Sequence, residues 1–429
     1  MSIRLLETIR NRNKSCGYSV TSVCSAHPYV IRATLELHRD LDRLALIEAT
    51  SNQVNQFGGY TGMRPIHFLE KVRKIALDVG FPTSKLVLGG DHLGPHPWRS
   101  ASTDDAMSKA CALVHEYVRA GFTKIHLDAS MLFPGDPTNP DGELETEVGA
   151  ERAALLCRAA ESAKSIDGDA PVYVIGTDVP APGGVSGHEK APTITSASAL
   201  NHTIECTQRA FRRYKLDDAW NRVVAIVVQP GVEFTDQQVF SYNRKDTVEL
   251  RHALTQHSTL VFEGHSTDYQ LPEHLQEMAE DSCAILKVGP ALTFAFRETL
   301  FLLGCVEATL ADAGVNVATT QLSRKLEHAM RTNPRYWRDF YDESSPNLAM
   351  DLLYSLSDRS RYYWSTREVD HEVKKLIINM ENNWPPLHLL RQFFPGQYWK
   401  VRRGLLKNSP QGYIVDRIQD VLRTYPGLS

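Results

Sequence analysis

The stretch Leu86-Val-Leu-Gly-Gly-Asp-His-Leu-Gly-Pro95 decides how this chain is read. Its short apolar run, Leu86 to Leu88, has the length and composition of a buried strand. Gly89-Gly90 permits a tight backbone bend. Asp91 and His92 follow where the strand should leave the core. A carboxylate beside an imidazole at a strand end suits proton transfer or metal binding.

The same pattern recurs along the chain. Eight β-rich runs lie at 18–24, 44–49, 86–90, 124–127, 172–176, 223–228, 259–263 and 283–288. Helical patterns alternate with them at 64–79, 104–120, 151–163, 199–214, 268–280 and 294–313. Strands alternating with helices imply right-handed βαβ units and a parallel sheet. Eight is the number that closes a (β/α)8 barrel, so the expected fold is an α/β TIM barrel over residues 1–321. Residues 322–429 break that grammar. They are rich in aromatic residues and arginine, as in Tyr336-Trp337 and Tyr362-Tyr363-Trp364, and read as a mainly helical extension packed on the barrel or on a partner.

In such a barrel the active site forms at the C-terminal ends of the strands. Polar groups fall there in nearly every unit: Ser25 and His27, Glu48 with Asn52 and Gln53, Asp91 and His92, Asp128 and Ser130, Asp178, Gln229, Glu263 and His265, and Lys287. Long Gly/Pro-rich loops at 131–144 and 179–194 fall on the same face and read as lids or binding loops. Gln56-Phe-Gly-Gly-Tyr-Thr-Gly62 is a third, in which Gly58 and Gly59 offer backbone N–H groups to an anion such as phosphate.

Composition excludes several classes. Apolar and charged fractions of 42% and 23% are those of an ordinary soluble globular protein. The net charge of −4 leaves no basic footprint for nucleic acid. No apolar run reaches membrane-spanning length. Seven scattered cysteines without a CxxC pair point to free thiols in a reducing cytoplasm.

His92 and His265 stand on strands three and seven and together suit a divalent metal, zinc above all. A catalytic zinc takes three protein ligands. The third is open between Asp178, Gln229, Glu147 and His188. Such a metal polarises a substrate carbonyl, and Asp91 or Glu48 would then move the proton, with Asp128 a further candidate carboxylate. The set fits retro-aldol cleavage or epimerisation.

Several long motifs also resemble one family. Ser22-Val-Cys-Ser-Ala-His-Pro28, Ile47-Glu-Ala-Thr-Ser-Asn-Gln53, Gly89-Gly-Asp-His-Leu-Gly-Pro95, Lys124-Ile-His-Leu-Asp-Ala-Ser130, Gly264-His-Ser-Thr-Asp-Tyr-Gln270, Leu286-Lys-Val-Gly-Pro290 and Tyr354-Ser-Leu-Ser-Asp-Arg-Ser-Arg-Tyr-Tyr-Trp364 look like the GatZ/KbaZ family, almost end to end. The resemblance implies a D-tagatose-1,6-bisphosphate aldolase subunit of galactitol or N-acetylgalactosamine breakdown. It also implies a class II aldolase-like barrel, a phosphorylated ketose, an oligomer and a separate catalytic class II aldolase chain as partner. Some relatives act as metal-dependent 4-epimerases. Others have been labelled tagatose-6-phosphate kinases, but no Walker-type loop is present here. By the same resemblance Asp91 is the proton-transfer carboxylate, and His92 and His265 are zinc ligands. Gln229 stands where a further His ligand is usual. The expected substrate contacts are His27, Asn52, Gln53, Gly58, Gly59, Ser130, Ser266, Asp268 and Lys287.

Overall fold

The computed structural model describes residues 2–11, 17–139, 142–165, 169–176 and 192–429. Eight parallel strands close into a barrel: β1 Val20–Cys24, β2 Ala45–Thr50, β3 Leu86–Leu93, β4 Lys124–Leu127, β5 Val172–Ile175, β6 Val223–Val228, β7 Val261–Gly264 and β8 Cys283–Val288. Each strand pairs with its sequence neighbours, and β8 pairs with β1 to complete the ring. Helices follow the strands on the outside, among them Thr103–Ala120, which begins at a Ser102 cap and ends at Gly121 with φ 101°. Gly121 there adopts the left-handed turn that ends a helix without a Cβ penalty.

Strand alternation sorts the interior into layers. Val20, Leu46, Val87, Val172 and Ile285 form an apolar floor, sealed by Leu5 and Ile9 of the helix Ser2–Asn11. Above the floor the inward positions become charged. Lys124 lies between Glu48 and Glu263, 2.7 Å from an oxygen of each, and all three side chains are fully buried. Ser22 donates to Glu48 in the same layer.

The glycine pair of the opening stretch acts differently from expectation. Gly89 and Gly90 remain inside β3, which runs on to Leu93. A Cβ on Gly89 would lie 2.7 Å from the Glu48 side chain, and one on Gly90 would lie 2.4 Å from Leu93. The pair serves close packing rather than a turn. The bend comes later: the β3–β4 register shifts between Gly90 and Leu93, and His92 has φ 46°. Successive strand residues normally face opposite sides of a sheet. This bulge re-aims the chain so that Asp91 and His92 both face the barrel mouth.

The extension wraps the barrel as helices from Leu322–Thr332 to Pro410–Leu422. Leu326, Leu376 and Ile418 belong to the same continuous core as Ile31 and Leu300 of the barrel helices. Gln419 donates to the Ala33 carbonyl at 3.1 Å, and Arg297 pairs with Asp358 at 3.0 Å in a buried contact. A short hairpin, Glu233–Phe234 with Val239–Phe240, follows β6 and was not foreseen from the sequence.

Candidate metal centre

Three imidazoles converge at the mouth. His92 comes from the β3 bulge, His126 from β4 and His265 from the end of β7, with ring centroids 4.9 to 5.2 Å apart. Together with Asp91 they present ligand atoms all within 4.8 Å of one another, and all four residues are buried.

A carboxylate backs each ring. His92 Nδ1 lies 2.8 Å from Asp128 Oδ2, so a proton on Nδ1 leaves the Nε2 lone pair facing inward. His265 Nε2 lies 3.0 Å from Glu263 Oε1, and its buried Nδ1 has no partner among the described residues. His126 Nδ1 faces Asp91 Oδ1 at 3.3 Å and the His92 backbone N–H at 3.2 Å, and its buried Nε2 has no partner among the described residues. Carboxylate–histidine pairs fix ring orientation and raise ligand basicity in metal sites. Buried nitrogens without partners are otherwise costly. Burial lowers the pKa of His126 to about 4 and that of His265 well below the ordinary imidazole value, with Lys287 adding to both shifts. Both rings are therefore neutral, as metal donors must be. The donor set fits zinc, with a fourth position left for water or substrate.

Lys287 donates to Asp91 and lies 2.8 Å from Glu263 Oε1. Burial would raise the Asp91 carboxyl, but the facing His92 and Lys287 outweigh it and hold it well below the usual range. Ser130 donates to Asp128 at 2.7 Å and so stabilises the carboxylate behind His92.

The cluster opens into a cavity lined by Asn52, Gln53, Tyr60, Asp91, His92, His265, Ser266, Asp268 and Lys287, with Arg361 and Tyr362 from the extension. Asp268 accepts from the N–H groups of Gly289 and Ala291 at 3.0 and 2.8 Å. Its burial raises its pKa to about 6 despite those bonds. His27 lies in an adjoining lobe that shares part of this wall.

Other expected residues stand elsewhere. Glu48 is fully buried beneath the mouth and does not line the cavity. Gln229 also lies outside the lining: its Oε1 accepts from the N–H groups of Gly231 and Val232 at 2.9 and 3.0 Å, so it shapes the turn after β6. Glu147 lies on the outer wall of the barrel, beside His202 and Cys206. Asp178 and His188, with most of the 179–194 loop, fall outside the described residues. The glycine-rich loop offers no free anion cradle. The N–H groups of Phe57 and Gly59 are bonded to Asn55 Oδ1, and that of Gly58 to the Asn55 carbonyl. Gly58 and Gly59, with φ of 105° and 55°, instead turn the chain so that Tyr60 reaches the cavity.

His126 supplies the third imidazole and was not singled out from the sequence. Its signal was present: Lys124, His126 and Asp128 alternate along one strand, so an inward Lys124 implies an inward His126. Arg361 and Tyr362 gave no such signal, because their position depends on how the extension folds back.

Fold and site together define a (β/α)8 barrel with a three-histidine centre at its mouth. More particularly, the chain belongs to the D-tagatose-1,6-bisphosphate aldolase subunit GatZ/KbaZ-like family, which it matches over residues 5–427. It is 46% identical over 410 residues to the D-tagatose-1,6-bisphosphate aldolase subunit GatZ of Salmonella gallinarum, covering 95% of this chain and 94% of that protein. The GatZ subunit of Salmonella enteritidis is equally similar, 46% identical with the same coverage. A crystal structure from Sinorhizobium meliloti 1021, described as a probable tagatose 6 phosphate kinase, superposes with a TM-score of 0.85. It is 39% identical, over 95% of this chain and 99% of that one. No helix among the described residues is long and apolar enough to cross a membrane.

Proposed function

We propose that this chain is the Z-type subunit of a D-tagatose-1,6-bisphosphate aldolase, working beside a separate catalytic class II aldolase chain, and that its mouth holds a divalent metal, zinc by preference. The observation that carries the metal assignment is the convergence of His92, His126 and His265, each backed by a carboxylate. Zinc bound there would polarise a substrate carbonyl. The chain's own residues do the rest. Asp91, held ionised beside Lys287, is placed to take a proton from a substrate hydroxyl or carbon in the cavity. Asn52, Gln53 and Ser266 offer polar contacts to the sugar.

One observation favours a second reading, an autonomous ketose 4-epimerase: the complete histidine set lies within a single chain and needs no partner to form. Incubating the purified chain with zinc or manganese and tagatose 1,6-bisphosphate separates the two by NMR. The subunit reading expects no conversion alone and faster triose phosphate formation once a catalytic class II aldolase chain is added. Fructose 1,6-bisphosphate from the chain alone would establish the epimerase instead. No stimulation and no complex on mixing would remove the subunit reading.

A further inference from the structure

A second lobe of about 240 Å³ adjoins the histidine cluster's cavity and shares Cys24, Gln53, Tyr60, Gly289, Pro290 and Arg361 with it. Two cations line it, Lys71 and Arg361. Neither has a carboxylate within 4.0 Å among the described residues, whereas most buried cations of this chain do. Lys71 Nζ reaches only the Ala26 carbonyl, at 3.4 Å. Arg361 donates to the carbonyls of Ser357 and Asp358 and to the Tyr362 hydroxyl. The acid on the rim, Asp370, is paired with Lys374 at 2.5 Å. Two cations against one carboxylate give the lobe a net positive lining, held partly out of water, where charge is worth most.

Two further observations place an anion here. His27 Nδ1 is buried in this lobe without a partner among the described residues, and His27 stands at the start of the helix Pro28–Asp40, whose first turn has no side-chain cap. The positive end of a helix favours negative charge. In barrels of this type a phosphate commonly sits after strands seven and eight, at a helix start. Here the Asp268 carboxylate already takes the Gly289 and Ala291 N–H groups there. The neighbouring lobe is the part of the cavity whose cations are left open to an anion.

We infer that the second lobe seats a terminal phosphate of the sugar, with Lys71 of the barrel and Arg361 of the extension as its anion-binding residues. The inference rests on the sugar-phosphate reading above and adds which end of the ligand goes where: hydroxyl and carbonyl groups toward the histidines, phosphate toward Lys71.

Calorimetric titration of the zinc-loaded full chain tests it, with inorganic phosphate, tagatose and tagatose 1,6-bisphosphate as probes. Lys71→Gln and Arg361→Gln should each weaken the bisphosphate by about 10- to 100-fold, the loss of one charge-assisted hydrogen bond set. Inorganic phosphate should follow, and tagatose should not change. Lys71→Arg should retain most of the affinity, which separates charge from folding, as does an unchanged zinc stoichiometry. Equal affinity for the bisphosphate in wild type and Lys71→Gln overturns the assignment, as does wild-type chain that binds no phosphate-bearing probe. Intact stimulation of a catalytic aldolase with either result leaves the subunit reading standing. Phosphate binding without stimulation removes that reading alone.

Discussion

Two layers of the barrel interior, one above the other, use ionisable residues in opposite ways. In the lower layer Lys124 meets Glu48 and Glu263 at 2.7 Å, and charge answers charge. In the upper layer, nitrogens of His126 and His265 stand buried with no partner among the described residues. The first arrangement is complete without a ligand. The second leaves ligand atoms free that could hold an ion. Paired buried charge is architecture, and unpaired buried donors of one kind, converging, are a binding site.

Substitutions can break this contrast. Lys124→Met should be the most damaging, because it removes the buried cation shared by two carboxylates and leaves Glu48 with no cation at 2.7 Å. The expected loss is about 3–5 kcal/mol of stability, read as the urea midpoint without metal. His126→Ala should do the reverse. Zinc affinity, measured by competition with a chelator, should fall by more than the roughly 100-fold that marks loss of an outer-shell partner. Its urea midpoint should move less than that of Lys124→Met. If His126→Ala unfolds the protein while Lys124→Met is tolerated, the two layers have been assigned the wrong way round.

Asp128→Asn sharpens the comparison, since Asp128 meets His92 at Nδ1, behind the ring, with its other oxygen held by Ser130. A loss of about 10- to 100-fold in zinc affinity is expected, with the site still formed. The smallest effect should come from Asp268. Its folded pKa of about 6 lies above the ordinary carboxyl value, so the folded state holds a proton that the unfolded state has released. That contribution is present at low pH and lost as pH rises through about 6. Asp268→Asn keeps an acceptor for Gly289 and Ala291 and carries no charge. It should raise stability at pH 8 by about 1 kcal/mol, and by less at pH 5, as read from melting temperature.

The barrel was legible because alternation of short strands and helices has few closed solutions. β4, β6 and β8 start and stop as the pattern requires. Asp91, His92 and His265 were legible as strand-end polar groups. His126 was hidden by reading only strand ends, when strand parity would have exposed it. Gln229 was misjudged because a polar residue after a strand was taken as facing the mouth, whereas its amide closes the local turn. Arg361 and Tyr362 had no local pattern to betray them. Their place follows from long-range packing: Tyr362 stacks on Tyr336 at 4.6 Å and meets Tyr60 at 4.7 Å.

That last contact sets an order of events during synthesis. All three histidines and all eight strands leave the ribosome before Arg361 and Tyr362 are made. A nascent barrel can therefore gather its ion-binding nitrogens while one wall of the mouth is still missing. The histidine cluster comes first in time, and the wall that Arg361 and Tyr362 add to the cavity comes after it.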